Sequence, residues 1–122
     1  MFSNLSVVNK DAGSLKYLAP EILERRANAV TPALDIWSLG CILFGMVAGE
    51  LPFAGKHAED IMGSICSGKW ELPANIVKKL SYEIKDLIGA CLNLDPKKRI
   101  TINEMYDHPW LQNKPITMYL ND

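Results

Sequence analysis

The sequence has few cysteines and almost no net charge. Its 122 residues include only three cysteines, Cys41, Cys66 and Cys91, spaced 25 residues apart and without a C-x-x-C pair. Such an odd, widely spaced set is typical of apolar filling in a reducing compartment and argues against a disulfide scaffold. The net charge is −1, from 13 basic and 14 acidic side chains. This balance gives no electrostatic reason to expect nucleic acid or an anionic membrane as a partner.

Long hydrophobic runs are also missing. The most apolar stretch, residues 36–48, is about 13 residues long and contains two glycines, whereas a membrane-spanning helix needs about 20 apolar residues. Residues 1–4 have neither the basic start nor the apolar core of a secretory signal. We therefore expect a soluble intracellular protein that resides in the cytoplasm.

The composition that is present indicates a folded, helical chain. Hydrophobic residues make up 48% of the sequence and charged residues 22%, which is typical of one small globular domain or part of a larger one. Residues 33–48 are apolar nearly all the way round the predicted helix, so we expect this helix to lie in the centre of the molecule. Thr31 and Pro32 are start signals for it, and Gly49 follows its end.

Further helices are predicted from periodicity and capping patterns. Residues 81–92 carry apolar side chains at spacings of three and four, and Thr101 with Glu104 has the form of a capping box. Helices are also predicted over residues 21–27 and 57–66. Because no alternating strand pattern of useful length occurs, the predicted fold class is all-α.

Three sequence blocks carry a resemblance to a known family. They are G-S-L-K-Y-L-A-P-E at residues 13–21, D-I-W-S-L-G at residues 35–40 followed by G-E-L-P-F at residues 49–53, and L-D-P-K-K-R-I-T at residues 94–101 with H-P-W-L at residues 108–111. In this order and at these separations they resemble the lower lobe of eukaryotic Ser/Thr protein kinases. The triplet Phe2-Ser3-Asn4 further resembles the calmodulin-dependent and AMP-activated group.

The resemblance implies a partial kinase lobe built around one central buried helix. It divides the chain into an activation-segment remnant at residues 1–19, a helical lobe at residues 20–111 and a tail at residues 112–122. The 122 residues contain no Gly-rich loop, no H-R-D and no D-F-G motif. Those segments hold ATP and magnesium in a complete family member. We therefore expect no cofactor and no metal in this chain, and no catalytic residue.

Glu21 and Arg99 occupy positions that form an ion pair in the family. The planar guanidinium of arginine can meet a carboxylate with two parallel hydrogen bonds, and we expect this pair to join the activation segment to the helices below it. The alternative is that both are solvated surface charges. Asp35 begins the central helix, where a carboxylate suits the positive helix end. In the family it also accepts hydrogen bonds from the catalytic loop, so here it would face water or a partner.

Four residues correspond to the family's pocket for the substrate residue after the phosphorylated one: Ser14, Leu15, Tyr17 and Leu18. The two leucines would make this pocket apolar and favour a hydrophobic substrate residue. The alternative is an inert loop. His57 and His108 have no partner at metal-ligand spacing, and we expect His108 to pack or to form hydrogen bonds locally.

Two functions of different class remain open. The first is a fragment of a Ser/Thr kinase, a family that transfers the γ-phosphate of ATP to protein substrates, with the isolated chain inactive. The second is a truncated, pseudokinase-like binding module. Without the segments that pack on the central helix in the family, part of the apolar surface at residues 34–47 would be open. We then expect self-association or a protein partner.

Overall fold

The computed structural model describes residues 15–25 and 31–112, and across these ranges the backbone forms helices and connecting turns without a β-strand. This confirms the predicted all-α class. No helix within these ranges is long and apolar enough to cross a membrane. The helices with bounds in these ranges are α1 (Pro20–Leu23), α2 (Pro32–Ala48), α3 (Ala58–Ser67), α4 (Ala74–Val77), α5 (Tyr82–Cys91), α6 (Ile102–Tyr106) and α7 (Pro109–Gln112).

The central helix α2 has nearly the bounds that the sequence predicts. Pro32 is its first residue, which suits a position whose N–H needs no intrahelical partner. Thr31 precedes the helix in an extended conformation, but its hydroxyl makes no capping hydrogen bond. Gly49 ends the helix at φ +79°, a left-handed conformation that glycine adopts without steric cost.

Helices α2 and α5 form the core of the molecule. Gly40 lies where they meet: a Cβ atom there would be 2.6 Å from Cys91 Cβ, so the two backbones approach closely only because this residue has no side chain. The buried residues of the two helices are Ile36, Trp37, Gly40, Cys41 and Phe44 in α2 and Ile84, Leu87, Ile88 and Cys91 in α5.

Helix α2 is exposed on one side, in line with the expectation that part of the apolar surface at residues 34–47 is open. Ile42 is 45% exposed and Met46 is 75% exposed, although both are apolar. The helix is therefore central but buried on one side only. Uniformly apolar sequence could not distinguish the two sides, because periodicity marks an exposed side only when polar residues occupy it.

Side chains cap the starts of both α5 and α6, and the sequence predicted the cap of α6. Ser81 Oγ accepts a hydrogen bond from the Ile84 amide at 3.3 Å. At α6 the box is reciprocal: Thr101 Oγ1 accepts from the Glu104 amide, and Glu104 Oε1 accepts from the Thr101 amide. Two orphan amides of this short helix are thus satisfied by side chains.

Three short helices differ from expectation. Helix α1 ends at Leu23 rather than reaching residue 27, because Arg25 adopts φ +57°, which right-handed helix cannot continue through. Residues 26 and 27 lie outside the described residues. Helices α4 and α7 were not predicted, since four residues are too few to show a helical period.

Candidate functional site

Arg99 is buried and uses every N–H group of its guanidinium. Nη1 donates to Glu21 Oε2 at 2.8 Å and to the Ala33 carbonyl at 2.7 Å, while Nη2 donates to Glu21 Oε1 at 2.9 Å and to the Asn93 carbonyl at 2.9 Å. Nε donates to the same Asn93 carbonyl at 3.0 Å. Arginine has five N–H donors and all five are paired. The side chain therefore joins the start of α1, the first turn of α2 and the segment after α5.

The pair of Arg99 and Glu21 is shielded from water by aromatic rings. The exposed fractions of the two side chains are 0% and 2%. The Arg99 guanidinium lies over the Trp37 ring at 5.1 Å, and Trp37 stacks on Phe53 with centroids 5.4 Å apart. A bidentate ion pair in a site shielded from water stabilises the fold, but removal of either partner would leave the other charge buried and unpaired. The structure brings together the two residues that the sequence analysis paired.

Residues 15–19, in which a turn follows the helical residue Leu15, precede α1 and pack against α2. We call them loop 15–19. Leu15 and Ala19 are buried in the core, whereas Tyr17 and Leu18 are half-buried. The Leu18 amide donates to the Leu15 carbonyl at 3.1 Å. Of the predicted pocket residues, Tyr17 and Leu18 therefore retain exposed surface, and Leu15 contributes to the core. Ser14 lies outside the described residues.

Ser38 of α2 holds this loop through its backbone. Its hydroxyl donates to the Tyr17 carbonyl at 2.9 Å, across 21 positions of sequence. The sequence analysis did not predict this contact, because a serine inside a helix usually bonds the carbonyl four residues earlier.

A groove of about 330 Å³ opens beside Tyr17, between the loop and the exposed side of α2. We call it the tyrosine groove. Its lining residues are Tyr17, Ile42, Gly45, Met46, Gly49, Glu50 and Leu51. Of these, the sequence analysis assigned a site role only to Tyr17. The helical spacing of Ile42, Gly45 and Gly49 places them on one face of α2, and this spacing was a signal that could have identified the groove.

Asp35 lies exposed in the first turn of α2. Its carboxylate is near the positive end of the helix, where a negative charge is favourable. It makes no hydrogen bond or ion pair with any residue in the described ranges. The structure therefore presents this carboxylate to solvent, apart from the tyrosine groove.

The comparison with known families agrees with the three sequence blocks. A family model described as the protein kinase domain matches residues 2–111. The chain belongs to the protein kinase family. This confirms the predicted family, and the helical structure of residues 15–25 and 31–112 is that of part of the kinase domain.

Curated relatives are serine/threonine kinases. The human SNF-related serine/threonine-protein kinase is 43% identical over 110 residues, which are 88% of this chain and 14% of that protein. Calcium-dependent protein kinase 2 of Oryza sativa subsp. japonica is 38% identical over 113 residues, or 92% of this chain and 21% of that protein. The kinase chain thus spans about a fifth or less of the length of these relatives.

Solved kinase structures have the same fold over most of this chain. The autoinhibited serine kinase domain of titin matches with a TM-score of 0.75 at 30% identity, covering 83% of this chain and 31% of that one. The twitchin kinase region from C. elegans matches with a TM-score of 0.74 at 29% identity, covering 82% of this chain and 17% of that one.

His108 joins the last helices of this kinase chain to α5. Its Nε2 lies 2.8 Å from Asp86 Oδ2, and its Nδ1 accepts a hydrogen bond from the Trp110 amide at 3.1 Å. An amide can only donate, so Nδ1 must be unprotonated and the hydrogen of the neutral ring must be on Nε2. The hydrogen bond from the Trp110 amide is the local contact that the sequence predicted for His108. The contact with Asp86, 22 residues earlier, was not predicted.

A second groove, of about 260 Å³ and almost wholly apolar, lies on another side of the kinase chain. Leu39 and Leu43 of α2 form one wall, and α5, α6 and α7 form the rest. The remaining lining residues are Leu87, Ile102, Met105, Tyr106, Trp110 and Leu111. None of these described lining residues is charged, so they offer no group that would bind phosphate or metal.

The buried thiols of Cys41 and Cys91 are unsuited to chemistry. Burial and, to a lesser degree, the neighbouring Cys91 raise the pKa of Cys41 to about 12, against a lowering by Arg99. Burial likewise raises the pKa of Cys91 to about 12, against a lowering by Arg99. Both remain protonated near neutral pH and are poor nucleophiles. In the part of the chain that the structure describes, no group of three His, Cys, Asp or Glu residues is placed to hold a metal ion.

Proposed function

We propose that this chain holds the protein substrate of a Ser/Thr kinase domain. In the complete domain the reaction would be transfer of the γ-phosphate of ATP to a serine or threonine hydroxyl. The described residues supply a surface for the peptide rather than groups that react with phosphate. The cytoplasm is the location we propose for this activity.

The proposal depends mainly on the buried pair of Arg99 and Glu21. Glu21 directly follows loop 15–19 and Pro20, so the pair fixes the end of the loop against the helical body. A binding surface on a loop is effective when rigid elements position it. Leu15 and Ala19 add buried contacts on either side of Tyr17. The loop is therefore held in place while Tyr17 and Leu18 remain accessible to a peptide.

We further propose that the peptide residue after the phosphorylated one is apolar. Leu18 and Tyr17 would contact it, with Leu15 supporting the loop from the core side and Ser14 adjoining. The tyrosine groove continues this surface along α2 through Ile42, which is exposed and apolar.

Peptide binding tests the proposal directly. A fluorescent peptide in which leucine follows serine should bind the 122-residue chain more tightly than the matched peptide with glycine in place of leucine. Tyr17→Ala should weaken binding of the leucine peptide about tenfold or more, as expected for loss of an aromatic contact. Tyr82→Ala is the matched control, because Tyr82 is exposed at the start of α5, outside the lining of the tyrosine groove. Equal affinity for both peptides, or equal effects of both variants, would contradict the proposal.

We propose that residues 1–122 do not transfer phosphate by themselves, because their sequence lacks the motifs that bind nucleotide and position the hydroxyl in the family. ATP and magnesium would bind to other segments of a complete kinase. In this view residues 1–19 form an activation-segment remnant, residues 20–111 the lobe and residues 112–122 a tail. Calorimetry should detect no Mg·ATP binding to the chain, and sustained phosphorylation of a serine peptide by the pure chain would overturn this view.

A second candidate function, a pseudokinase-like protein-binding module, is favoured by one observation. Ile42 and Met46 are apolar and exposed on adjacent turns of α2, and such surface on a soluble protein often marks an interface. Light scattering over a concentration series would then show self-association, whereas a monomer at all concentrations would argue against a dimer. Transcript sequencing separates the two candidates, since in-frame H-R-D and D-F-G motifs upstream favour the kinase fragment.

A further inference from the structure

We propose that Ser38 is a positioning residue for peptide binding: its hydroxyl fixes the backbone of Tyr17 and so sets the shape of the tyrosine groove. This inference rests on the proposed peptide-binding function. It assigns a role to a central-helix residue that contributes no side chain to the groove lining.

The hydrogen bond that Ser38 makes is unusual for a serine inside a helix. Its single hydroxyl hydrogen has two acceptors within reach, the Tyr17 carbonyl at 2.9 Å and the Leu34 carbonyl at 3.3 Å. The second is the local contact that helical serines ordinarily make. The contact to Tyr17 is the shorter of the two, so the hydroxyl favours the distant loop over its own helix.

Ser38 also lies on the face of α2 that lines the groove, one turn before the first lining residue of that helix. Positions 38, 42, 45 and 49 follow one another at spacings of four, three and four, so they share one face of α2. Ile42, Gly45 and Gly49 line the groove along this face. Ser38 occupies the preceding turn, where the loop crosses the helix. This face of α2 therefore binds the loop at Ser38, and the tyrosine groove begins one turn later at Ile42.

Loss of this hydrogen bond should move Tyr17 without unfolding the chain. Leu15 and Ala19 remain buried on either side, and the pair of Arg99 and Glu21 does not involve Ser38. Between these two anchors the Tyr17 carbonyl would lose its partner on α2. A typical intramolecular hydrogen bond changes an equilibrium by about two- to tenfold, which is the range we expect for binding.

Hydrogen exchange tests the effect on the loop. The Leu18 amide, which donates to the Leu15 carbonyl, is a local reporter. Ser38→Ala should raise its exchange rate about threefold or more while leaving the Ile88 amide in α5 unchanged. Ser67→Ala is the matched control, since Ser67 Oγ donates to the Ser64 carbonyl and accepts from the Lys69 amide, both close in sequence at the exposed end of α3. An unchanged rate for Leu18 in Ser38→Ala would contradict the inference.

Peptide selectivity tests the consequence for function. Selectivity is the affinity for the leucine peptide divided by that for the glycine peptide. Ser38→Ala should lower it about three- to tenfold, and Ser38→Thr, which keeps the hydroxyl, should restore it. A merely structural role would weaken both peptides alike and leave the ratio unchanged. If the unmodified chain binds neither peptide, the proposed function fails. If it binds selectively and Ser38→Ala is equally selective, only the role of Ser38 fails.

Discussion

The two sides of helix α2 differ although their residues are similarly apolar. On the packed side, Trp37, Cys41 and Phe44 have at most 1% of their surface exposed. On the open side, Ile42 and Met46 retain about half or more of theirs. Hydrophobicity alone therefore does not decide which side of a central helix is covered.

The packed side is specified by features that the open side lacks. Gly40 permits close approach of α5, and Arg99 covers Trp37 while forming five hydrogen bonds. The open side instead has Gly45 and Gly49, around which the tyrosine groove forms. The large apolar residues occur on both sides of α2, so they do not determine which side is packed. Gly40 and Arg99 mark the packed side, which stabilises the fold, and Gly45 and Gly49 mark the side that is available to a partner.

Removal of Arg99 should produce the largest effect on the packed side. Arg99→Ala leaves Glu21 buried without a partner, so we expect the free energy of unfolding to fall by about 3–5 kcal/mol. Arg99→Lys should recover only part of this loss, because an ammonium has three donors and cannot replace a planar group that forms five hydrogen bonds. Urea unfolding followed by circular dichroism measures both.

Lys98→Ala is the control for Arg99, since Lys98 is the exposed neighbour. Its substitution should change the free energy of unfolding by no more than about 0.5 kcal/mol. Equal losses for the two alanine variants, or full recovery with lysine, would mean that the buried pair does not hold the packed side together.

A methyl group at Gly40 should have the next largest effect. Gly40→Ala places a Cβ 2.6 Å from Cys91 Cβ and 2.9 Å from Leu92 Cδ2. The overpacking costs about 1–3 kcal/mol and is only partly offset by the better helix propensity of alanine, so we expect a net loss of about 1–2 kcal/mol. Gly63→Ala on α3 is the matched variant, because a Cβ there would meet no described atom within 4 Å beyond its chain neighbours and its own helix backbone. It should stabilise by up to about 1 kcal/mol. A stabilising Gly40→Ala would show that α2 and α5 can move apart.

Because the thiols of Cys41 and Cys91 on the packed side are buried, the stability of the chain should depend on pH. In the folded chain Cys41 and Cys91 have a pKa of about 12, above the ordinary value of 9.0. Above pH 9 the unfolded chain releases these protons while the folded chain keeps them. Stability therefore falls as pH rises from 9 towards 12, by at most about 1.4 kcal/mol per pH unit for each thiol.

Variants separate the thiols from other groups that titrate at high pH. Urea unfolding at pH 8, 9 and 10 should give a shallower slope for Cys41→Ala than for the unmodified chain. Cys66→Ala, at a half-buried position on α3, provides the comparison and should retain most of the slope. Identical slopes in Cys41→Ala and the unmodified chain would mean that water reaches the packed side.

The sequence predicted helices and motif positions better than contacts between distant segments. Helix α2 lies between Pro32 and Gly49, which mark its start and end, whereas α5 and α6 show periodicity or capping that acts within a few residues. The Arg99 and Glu21 positions were assigned from motifs. The contacts of Ser38 with Tyr17 and of His108 with Asp86 join residues more than twenty positions apart outside those assignments. Such contacts depend on how helices pack, which local patterns do not record.

The smallest change in stability is expected for a substitution on the open side of α2. The same substitution at a buried position shows how much the two environments differ. Met46→Gln replaces a 75% exposed side chain, so we expect the free energy of unfolding to change by no more than about 0.5 kcal/mol. The same substitution at Met62, which is 6% exposed, should cost about 2 kcal/mol or more, because it buries an amide and loses apolar contact. If the open side mediates self-association, light scattering should also show less of it in Met46→Gln. A loss of stability at Met46 as large as at Met62 would mean that this side is covered in solution, and the distinction between the two sides of α2 would then disappear.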